Sequence, residues 1–480
     1  MASGWLPIFV EVTFFVCLIY MGLLFAFIVA MLIFSSIESR YRSRQQEVED
    51  YEGLVRSRYM VPVSIIACAY NEEVMVLVSV ASLLSQNYPE FELILVDDGS
   101  TDATLSLLQR EYDLQPGEYF YRDIVPCKPV RAIYRSRKDP RLVVVHKENA
   151  GNHADALNCG INFARYPYFC SVDGDTVYLP NALLKAMSLV ATDPAAVVGV
   201  ASFFGVSRAP EFDERGTDGG RTVDRHLLSN FQHLDLMRSF VAYRLAYSRL
   251  GCMLCNPGAF AIWRRDVILE VGGFSNGFSS EDIEMTFRIH EKFRREKRPY
   301  RILSLPDMVA RTEGPDSVSA LVRQRTRWQK GMLETVWHYR YMLFRPRYGT
   351  VGMIGVPYVV IFEALGPLML ALSFVSLGFA IWAQLYDWPL YLVMMEIVIF
   401  AGAIPTTVAI SLHDAAYRDY SLRDIIRMLL LGPLDLFLYR PIIIYAELRG
   451  TWQFLRGDRA WDKFERNVRL ANGKKAALAP

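Results

Sequence analysis

The sequence predicts an α/β domain set between apolar, membrane-crossing helices, and three observations carry that expectation. Between residues 60 and 345, short runs rich in β-branched and aromatic residues alternate with helical stretches, the pattern of strands and helices layered on one core. Long apolar runs flank this region, at residues 5–34 and again beyond 350. Mean hydropathy is +0.16 over 480 residues, high for a chain of this size without membrane segments. Such a length suggests two or three domains with ample buried core.

Taken in chain order, residues 5–34 carry one charge, Glu11, and exceed the roughly 20 residues that cross a bilayer. No charged side chain precedes them, so the run reads as an anchor rather than a cleaved signal. Arg40, Arg42, Arg44, Arg56 and Arg58 follow, which by the positive-inside rule places the N-terminus outside and everything after residue 35 in the cytosol. Residues 61–69, 91–96, 142–145 and 168–172 read as buried strands, with helical segments such as 73–86 and 154–164 between them. The polar, glycine-rich stretch 208–224 reads as a loop.

The late apolar runs differ from one another. Residues 352–386 are broken by Glu363 and Gly366-Pro367, and 389–411 are a second candidate crossing. Residues 425–445 carry Arg427, Asp435, Arg440 and Pro441, so they are expected to form a kinked helix at the cytosolic interface. One early and two late crossings leave the basic residues Arg449, Arg456, Arg459, Lys463, Arg466 and Arg469 inside; a fourth crossing would put them outside. Trp382, Tyr386 and Trp388 suit the outer interface. The expected domains are an N-terminal transmembrane helix (1–35), a cytosolic domain (36–345), two transmembrane helices with an interfacial or re-entrant helix (346–448), and a basic cytosolic tail (449–480).

Composition excludes several classes. Lys+Arg number 52 against Asp+Glu 51, a net charge of +1, without the basic surface that nucleic-acid binding by counterion release requires. A hydrophobic share of 52% excludes a disordered chain. The seven cysteines are Cys17, Cys68, Cys127, Cys159, Cys170, Cys252 and Cys255. Cys252-x-x-Cys255 has no second CxxC or His-x3-His behind it, so reduced cytosolic thiols are expected rather than zinc or a redox pair. No GxGxxG follows the first strand, which excludes a dinucleotide-binding domain.

Four motifs carry chemistry. Asp97-Asp98-Gly99-Ser100-Thr101-Asp102 follows the strand FELILV, where open α/β sheets bind ligands. A turn and a helix cap account for Ser100 or Asp102 and leave Asp97 and Asp98 for a ligand. Asp173-Gly174-Asp175 follows YFCSV and makes half a site for a hard divalent cation, completed by a diphosphate. Glu281-Asp282 opens a helix after a glycine-rich turn; the helix dipole and a Ser280 cap explain Glu281, and a second acid at a cleft edge suits a general base. In Gln324-x-x-Arg327-Trp328 the three side chains share one helix face. Amide, guanidinium and indole suit diphosphate clamping and stacking on a sugar. A basic helix on the inner leaflet accounts for Arg323, Arg325 and Lys330.

In order and spacing this set resembles the membrane-bound family-2 glycosyltransferases, in the branch of the cellulose, hyaluronan, chitin-oligosaccharide and poly-N-acetylglucosamine synthases. The matching stretches are VSIIACAYNEE, VDDGSTD, NAGNHADALNCGI, SVDGDT, NPGAFAIWRRDVILEVGGF, SSEDIEMT and QRTRW, which cover residues 60–345. The resemblance implies a GT-A-type nucleotide-sugar-binding domain with a mixed, mostly parallel sheet, inserted between transmembrane helices. It implies that Ala69, Tyr70 and Glu72, with Asp97 or Asp98, hold the uridine. Asp173 and Asp175 would hold Mg2+ or Mn2+ on the diphosphate, Asp173 also touching the nucleotide. Asp282, beside Glu281, would deprotonate the acceptor; Gln324 and Arg327 would grip the diphosphate, and Trp328 and Gly258 would face the acceptor. One displacement on an α-linked donor would give a β-linked product. Comparable sequences often carry Gly-Lys before Ala-Asp-Ala-Leu-Asn; here Gly151-Asn152-His153 stands there, with Asn152 and His153 left to bind uracil or phosphate.

The expected activity is transfer from a UDP-sugar to a growing β-linked polysaccharide at the inner face of the cell membrane, coupled to export. Glu363 and Glu396, inside the late apolar runs, fit first a Glu363 paired with a basic neighbour near the cytosolic interface and a protonated, hydrogen-bonded Glu396, and second a polar tunnel for such a polymer. Three crossings are few to enclose a pore, which leaves a second copy or an export partner to complete it. The alternative is single-sugar transfer to a membrane lipid. More distant is a non-catalytic, nucleotide-binding transport or scaffold subunit.

Overall fold

The structure, a computed structural model, describes residues 5–48, 53–54, 60–207, 226–384, 388–417 and 420–457. The apolar runs expected as strands become β1 (Val63–Ala69), β2 (Phe91–Asp97), β5 (Leu142–Lys147) and β6 (Tyr168–Asp173). They are joined by β3 (Leu114–Pro116), β4 (Val130–Ser136), β7 (Val177–Tyr178), β8 (Val197–Ser207), β9 (Phe260–Arg264) and β10 (Arg301–Glu313) in one sheet, ordered β3-β4-β5-β2-β1-β6-β9-β8-β10-β7. Strands buried on both faces are mostly apolar; in β2 every residue is buried, and its two acids are paired, Glu92 with Arg165 at 2.7 Å and Asp97 with His146 at 2.6 Å.

The sheet is mixed, as expected, but parallel pairing dominates only its centre. β5-β2-β1-β6 run parallel, as do β8 and β10. The pairs β3–β4, β4–β5, β6–β9, β8–β9 and β7–β10 are antiparallel. Among the described residues this makes four parallel pairings and five antiparallel ones, because β9 inserts between β6 and β8 and reverses direction against both.

The central strands end together. Ala69 lies beside Asp97, and Cys68 beside Asp173. With β1 flanked by β2 and β6, the chain leaves the sheet in opposite directions from this point, the crevice where open α/β sheets receive ligands.

Helices α1 (Trp5–Val48), α2 (Val76–Leu84), α3 (Thr104–Glu111), α4 (His153–Phe163) and α5 (Ala182–Ala191) come next. Helix α6 (Leu227–Met237) continues through π-turns at Arg238–Arg244 into α7 (Leu245–Leu250). Then follow α8 (Arg265–Glu270), α9 (Glu281–Arg295), α10 (Val318–His338), α11 (Gly366–Trp382), α12 (Trp388–Tyr417), α13 (Leu422–Leu438) and α14 (Arg440–Leu455). Two stretches, Ile8–Gln45 and Val351–Trp382, are long and apolar enough to cross a membrane. On the first, Phe15, Leu18, Ile19 and Leu23 face outward.

Helix α1 does not stop at the expected boundary of 35. It runs on because Glu38 pairs with Arg42 one turn later at 3.0 Å and with Arg249 at 3.2 Å. The run 389–411 lies in α12, but its side chains at 390–401, Glu396 included, are outside the described residues. The expected kink at 425–445 is present as a bend of 49° between α13 and α14. Pro441, which lacks an N–H to continue the helix, sits at the start of α14. The stretch 208–224, Tyr386, Arg56, Arg58 and the tail residues Arg459, Lys463, Arg466 and Arg469 lie outside the described residues.

Candidate active site

One cavity of about 1810 Å3 opens where the central strands end and extends to the apolar helices. Ala69, Tyr70, Glu72, Asp98, Asn152, His153, Asp173, Asp175, Gly258, Glu281, Asp282, Gln324, Arg327 and Trp328 all line it. Asp97 does not. It is the last residue of β2, so strand alternation turns it from the face that Asp98 takes. Its carboxylate binds His146 Nδ1 at 2.6 Å and accepts from the Ser100 N–H at 3.2 Å. Of the two acids, Asp98 is the one on the cavity wall.

Asp98 is held by Lys147, a fully buried lysine at the end of β5 whose Nζ also lies 2.7 Å from Asp155. Burial pushes the Asp98 carboxyl up, against the opposing pull of Lys147. Sequence reasoning missed this lysine. Its signal is a charge closing the apolar strand LVVVHK, the same signal that drew notice to the aspartates. Asp102 does what a cap residue does, accepting from the N–H groups of Thr104 at 2.9 Å and Glu73 at 3.1 Å.

Asn152 caps α4, its Oδ1 accepting from the Asp155 N–H at 2.9 Å. His153 is thereby placed at the first turn. Its Nδ1 is 2.7 Å from Glu281 Oε1; its Nε2 is buried without a hydrogen-bond partner, 3.9 Å from Asp173 Oδ1. Burial would lower the imidazole pKa, but neighbouring Cys68 and Glu281 hold it well above the usual value.

Asp173-Gly174-Asp175 turns tightly against the end of β1. A Cβ on Gly174 would stand 2.7 Å from the Cys68 carbonyl oxygen, so only glycine permits the approach. No group of three or more metal-ligating side chains occurs among the described residues. Two hard carboxylates fit Mg2+ or Mn2+ when a substrate diphosphate supplies further oxygens, and the orphaned His153 nitrogen beside them marks a place for an anion.

The two acids opening α9 are driven apart. Burial raises the pKa of Glu281, but His153 and Arg327 outweigh it and hold the carboxyl below its ordinary value. Asp282, partly buried and next to that charge, is pushed up to about 6. Its Oδ1 accepts from the Ile283 N–H at 2.8 Å, and the Cys255 thiol lies 3.9 Å from Oδ2. The two neighbouring carboxyls thus shift in opposite directions, Glu281 below its ordinary value and Asp282 above it.

Helix α10 brings the last group. Ser317 caps it, accepting from the Ala320 N–H at 3.3 Å. At Gly331 a Cβ would come 2.7 Å from the Ser280 Cβ, so glycine lets α10 lie directly against the start of α9. Two basic residues expected on the inner leaflet are elsewhere. Arg325 is only 14% exposed and pairs with Asp235 at 2.7 Å; Lys330 is buried, 3.7 Å from Glu334. Arg323 lines the cavity. The face arithmetic failed because α10 has protein on several sides. Asp235 and Arg440, also on the cavity wall, carried no motif that could have pointed to them.

The chain matches the glycosyl transferase family group 2 model over residues 168–406 and the glycosyl transferase family 2 model over residues 64–125. It is similar to the poly-β-1,6-N-acetyl-D-glucosamine synthase of Staphylococcus epidermidis, 23% identical over 269 residues, 56% of this chain and 54% of the relative. The synthase of Staphylococcus aureus strain COL is 22% identical over 300 residues, 62% of this chain and 60% of the relative. The chain thus spans little more than half the length of these relatives. Among solved structures, mannosyltransferase PcManGT from Pyrobaculum calidifontis, in complex with GDP-Man and Mn2+, is 15% identical, with 91% of this chain and 99% of that one covered and a TM-score of 0.49. Residues 1–349 of S. aureus TarS are 14% identical, with 86% and 99% covered and a TM-score of 0.39.

Proposed function

The chain belongs to glycosyl transferase family 2, and from that premise we propose that it transfers sugar from a UDP-sugar to a growing β-linked polysaccharide at the inner face of the cell membrane. The observation that carries this reading is convergence. Asp98, Asp173, Asp175, Asp282, Arg327 and Trp328, distant in sequence, line one cavity, with Asp282 near the pKa a general base needs.

Ala69, Tyr70, Glu72 and Asp98 hold the uridine at the ends of β1 and β2. Asn152 shapes the start of α4, and His153 Nε2 donates to the diphosphate. Gln324 and Arg327 grip the same group, and Trp328 and Gly258 face the acceptor. Asp282 removes the proton from the acceptor hydroxyl as that oxygen bonds to the anomeric carbon. The bond from that carbon to the diphosphate oxygen breaks on the far side, UDP leaving with the electron pair. One displacement inverts the centre, so an α-linked donor gives a β-linked product. Asp173 and Asp175 would hold Mg2+ or Mn2+, which when bound neutralises charge on the departing diphosphate.

Export is supported by the reach of the cavity. Its wall runs from the acids to Tyr20 and Phe25 of α1, Glu363, and Arg440, a path with aromatic and polar groups for a sugar chain. We place the N-terminus outside and residues 60–345 in the cytosol, with α1, residues 351–382 and α12 crossing the membrane and α13–α14 bent at the inner interface. A second copy or an export partner would complete the pore. The apolar part of the same wall, Met21, Leu24, Phe25 and Leu370, favours the second reading, a membrane-lipid acceptor.

Product class separates the two. Membranes carrying the full chain are incubated with labelled UDP-N-acetylglucosamine and a panel of other UDP-sugars, followed by linkage analysis. Label in β-linked polymer supports the first reading, and label extracted into organic solvent the second. Equal UDP release by wild type and Asp282→Asn would overturn both.

A further inference from the structure

Arg325 sits inside the Gln324–Trp328 motif, on the cavity wall with its neighbours, and has partners of its own. Its guanidinium stacks on the Trp328 ring, 4.7 Å from the centroid. Its Nη2 donates to Tyr439 Oη at 3.1 Å and lies 2.7 Å from Asp235 Oδ2. Tyr439, fully buried, is the residue at the bend between α13 and α14, and its ring stacks on Phe231 of α6 at 5.5 Å.

Asp235 is the centre of this arrangement. Its Oδ1 is 3.0 Å from Arg238 and 3.9 Å from Arg440, while Oδ2 takes Arg325. Asp435 closes the network from α13, 3.2 Å from Arg238 and 3.0 Å from Arg440. Burial raises the Asp235 pKa, but the guanidinium groups of Arg325, Arg238 and Arg440 together hold it well below the carboxylate range. The carboxylate is therefore charged at every physiological pH. A planar guanidinium bound at one edge by a carboxylate and a phenol has few orientations left. A guanidinium so fixed also restricts the indole on which it lies.

We propose that Asp235 is a positioning residue for the acceptor: acting through Arg325 it fixes the Trp328 indole on the cavity wall and ties it to the bend at Tyr439. This rests on the reading of Trp328 as the acceptor platform given above. It predicts that acceptor binding and chain extension depend on a carboxylate that acts through Arg325 and the Trp328 indole.

The test uses the full chain in proteoliposomes with UDP-N-acetylglucosamine and short β-linked N-acetylglucosamine oligosaccharides. Asp235→Asn and Arg325→Lys are expected to raise the acceptor KM about 10- to 100-fold, the cost of a misplaced binding group. Both should shorten the product while donor KM stays near wild type. Arg325→Lys keeps the charge and Asp235 but loses the planar stack, so it serves where Asp235→Asn fails to fold. Asp435→Asn removes a carboxylate from the same network without touching Arg325, and should leave acceptor KM near wild type. Unchanged acceptor KM in Asp235→Asn and Arg325→Lys, or an equal rise in all three variants, would overturn the proposal. A wild-type chain that transfers from no UDP-sugar would instead overturn the reading on which the proposal rests.

Discussion

Acidifying the assay through about pH 6 is expected to shut the transferase down, because the proposed base is then protonated. Burial, and next the Glu281 charge, lift the Asp282 carboxyl from 3.8 to about 6. With that value, roughly nine tenths of Asp282 is ionised at pH 7 and about one tenth at pH 5, so kcat/KM falls about tenfold over that range. The sign for stability runs the other way. A folded-state pKa above the unfolded one means that protonation favours the folded chain, a contribution present at low pH and lost as pH rises through 6. About two pH units correspond to roughly 3 kcal/mol, an upper figure because the carboxyl keeps some solvent contact. Asp282→Asn should therefore lower transfer about 10²- to 10⁴-fold while its melting temperature at pH 7.5 is equal to or above that of wild type. Glu281→Gln removes the charge that helps raise Asp282, so its acidic limb should move toward lower pH. Initial rates of UDP release at limiting donor, measured from pH 4.5 to 8, give kcat/KM directly. An acidic limb near 4 in the wild type, or an Asp282→Asn variant with most of its activity, would refute the assignment.

Other outcomes follow from the same geometry. Chelation of divalent cations should abolish transfer, with Mg2+ or Mn2+ restoring it in wild type and neither restoring it in Asp173→Asn or Asp175→Asn; initial rates with added metal decide this. Lys147→Met leaves Asp98 and Asp155 buried without their shared cation, and should cost about 3–5 kcal/mol, the penalty for breaking a buried pair, read as a drop in melting temperature. Gly331→Ala forces α10 away from Ser280; overpacking of this kind costs about 1–3 kcal/mol, and kcat should fall more than donor affinity as Trp328 moves from Asp282.

Strand structure was legible where physics makes sequence redundant. β1, β2, β5 and β6 are buried on both faces, so each is a mainly apolar run, interrupted only by single polar residues such as Ser64, Glu92 and Ser171. β10 is not. Pro306 and Asp307 interrupt it, register shifts between Leu305 and Ala310 accommodate them, and Asp307 finds its partner, Lys185, at 2.6 Å on α5. A strand whose irregularity is compensated by a distant helix leaves no period to read. The motif acids were legible because they stand at strand ends and helix starts, where backbone geometry alone sends side chains into the crevice. Which of Asp97 and Asp98 enters was not, since the answer depends on His146 and Lys147 arriving on the neighbouring strand.

The misreading of Arg325 has a more general cause. Helical periodicity assigns a residue to a face, and a basic face is then given to water or lipid. That step assumes a helix with one wall. Helix α10 has several: Gly331 lies against Ser280 at the start of α9, Thr326 Oγ1 donates to the Ala446 carbonyl of α14 at 3.1 Å, and Arg325 reaches Asp235 of α6. A charge on an enclosed helix must find a counter-charge or lose its proton. Arginine does not lose its proton in proteins, so its burial required an acid elsewhere in the fold. Asp235 stands in α6, and nothing local in the sequence distinguishes it. Its meaning arises only when α6, α10 and the bend between α13 and α14 close around it, and the same closure sets the Trp328 indole against the cavity that holds Asp282.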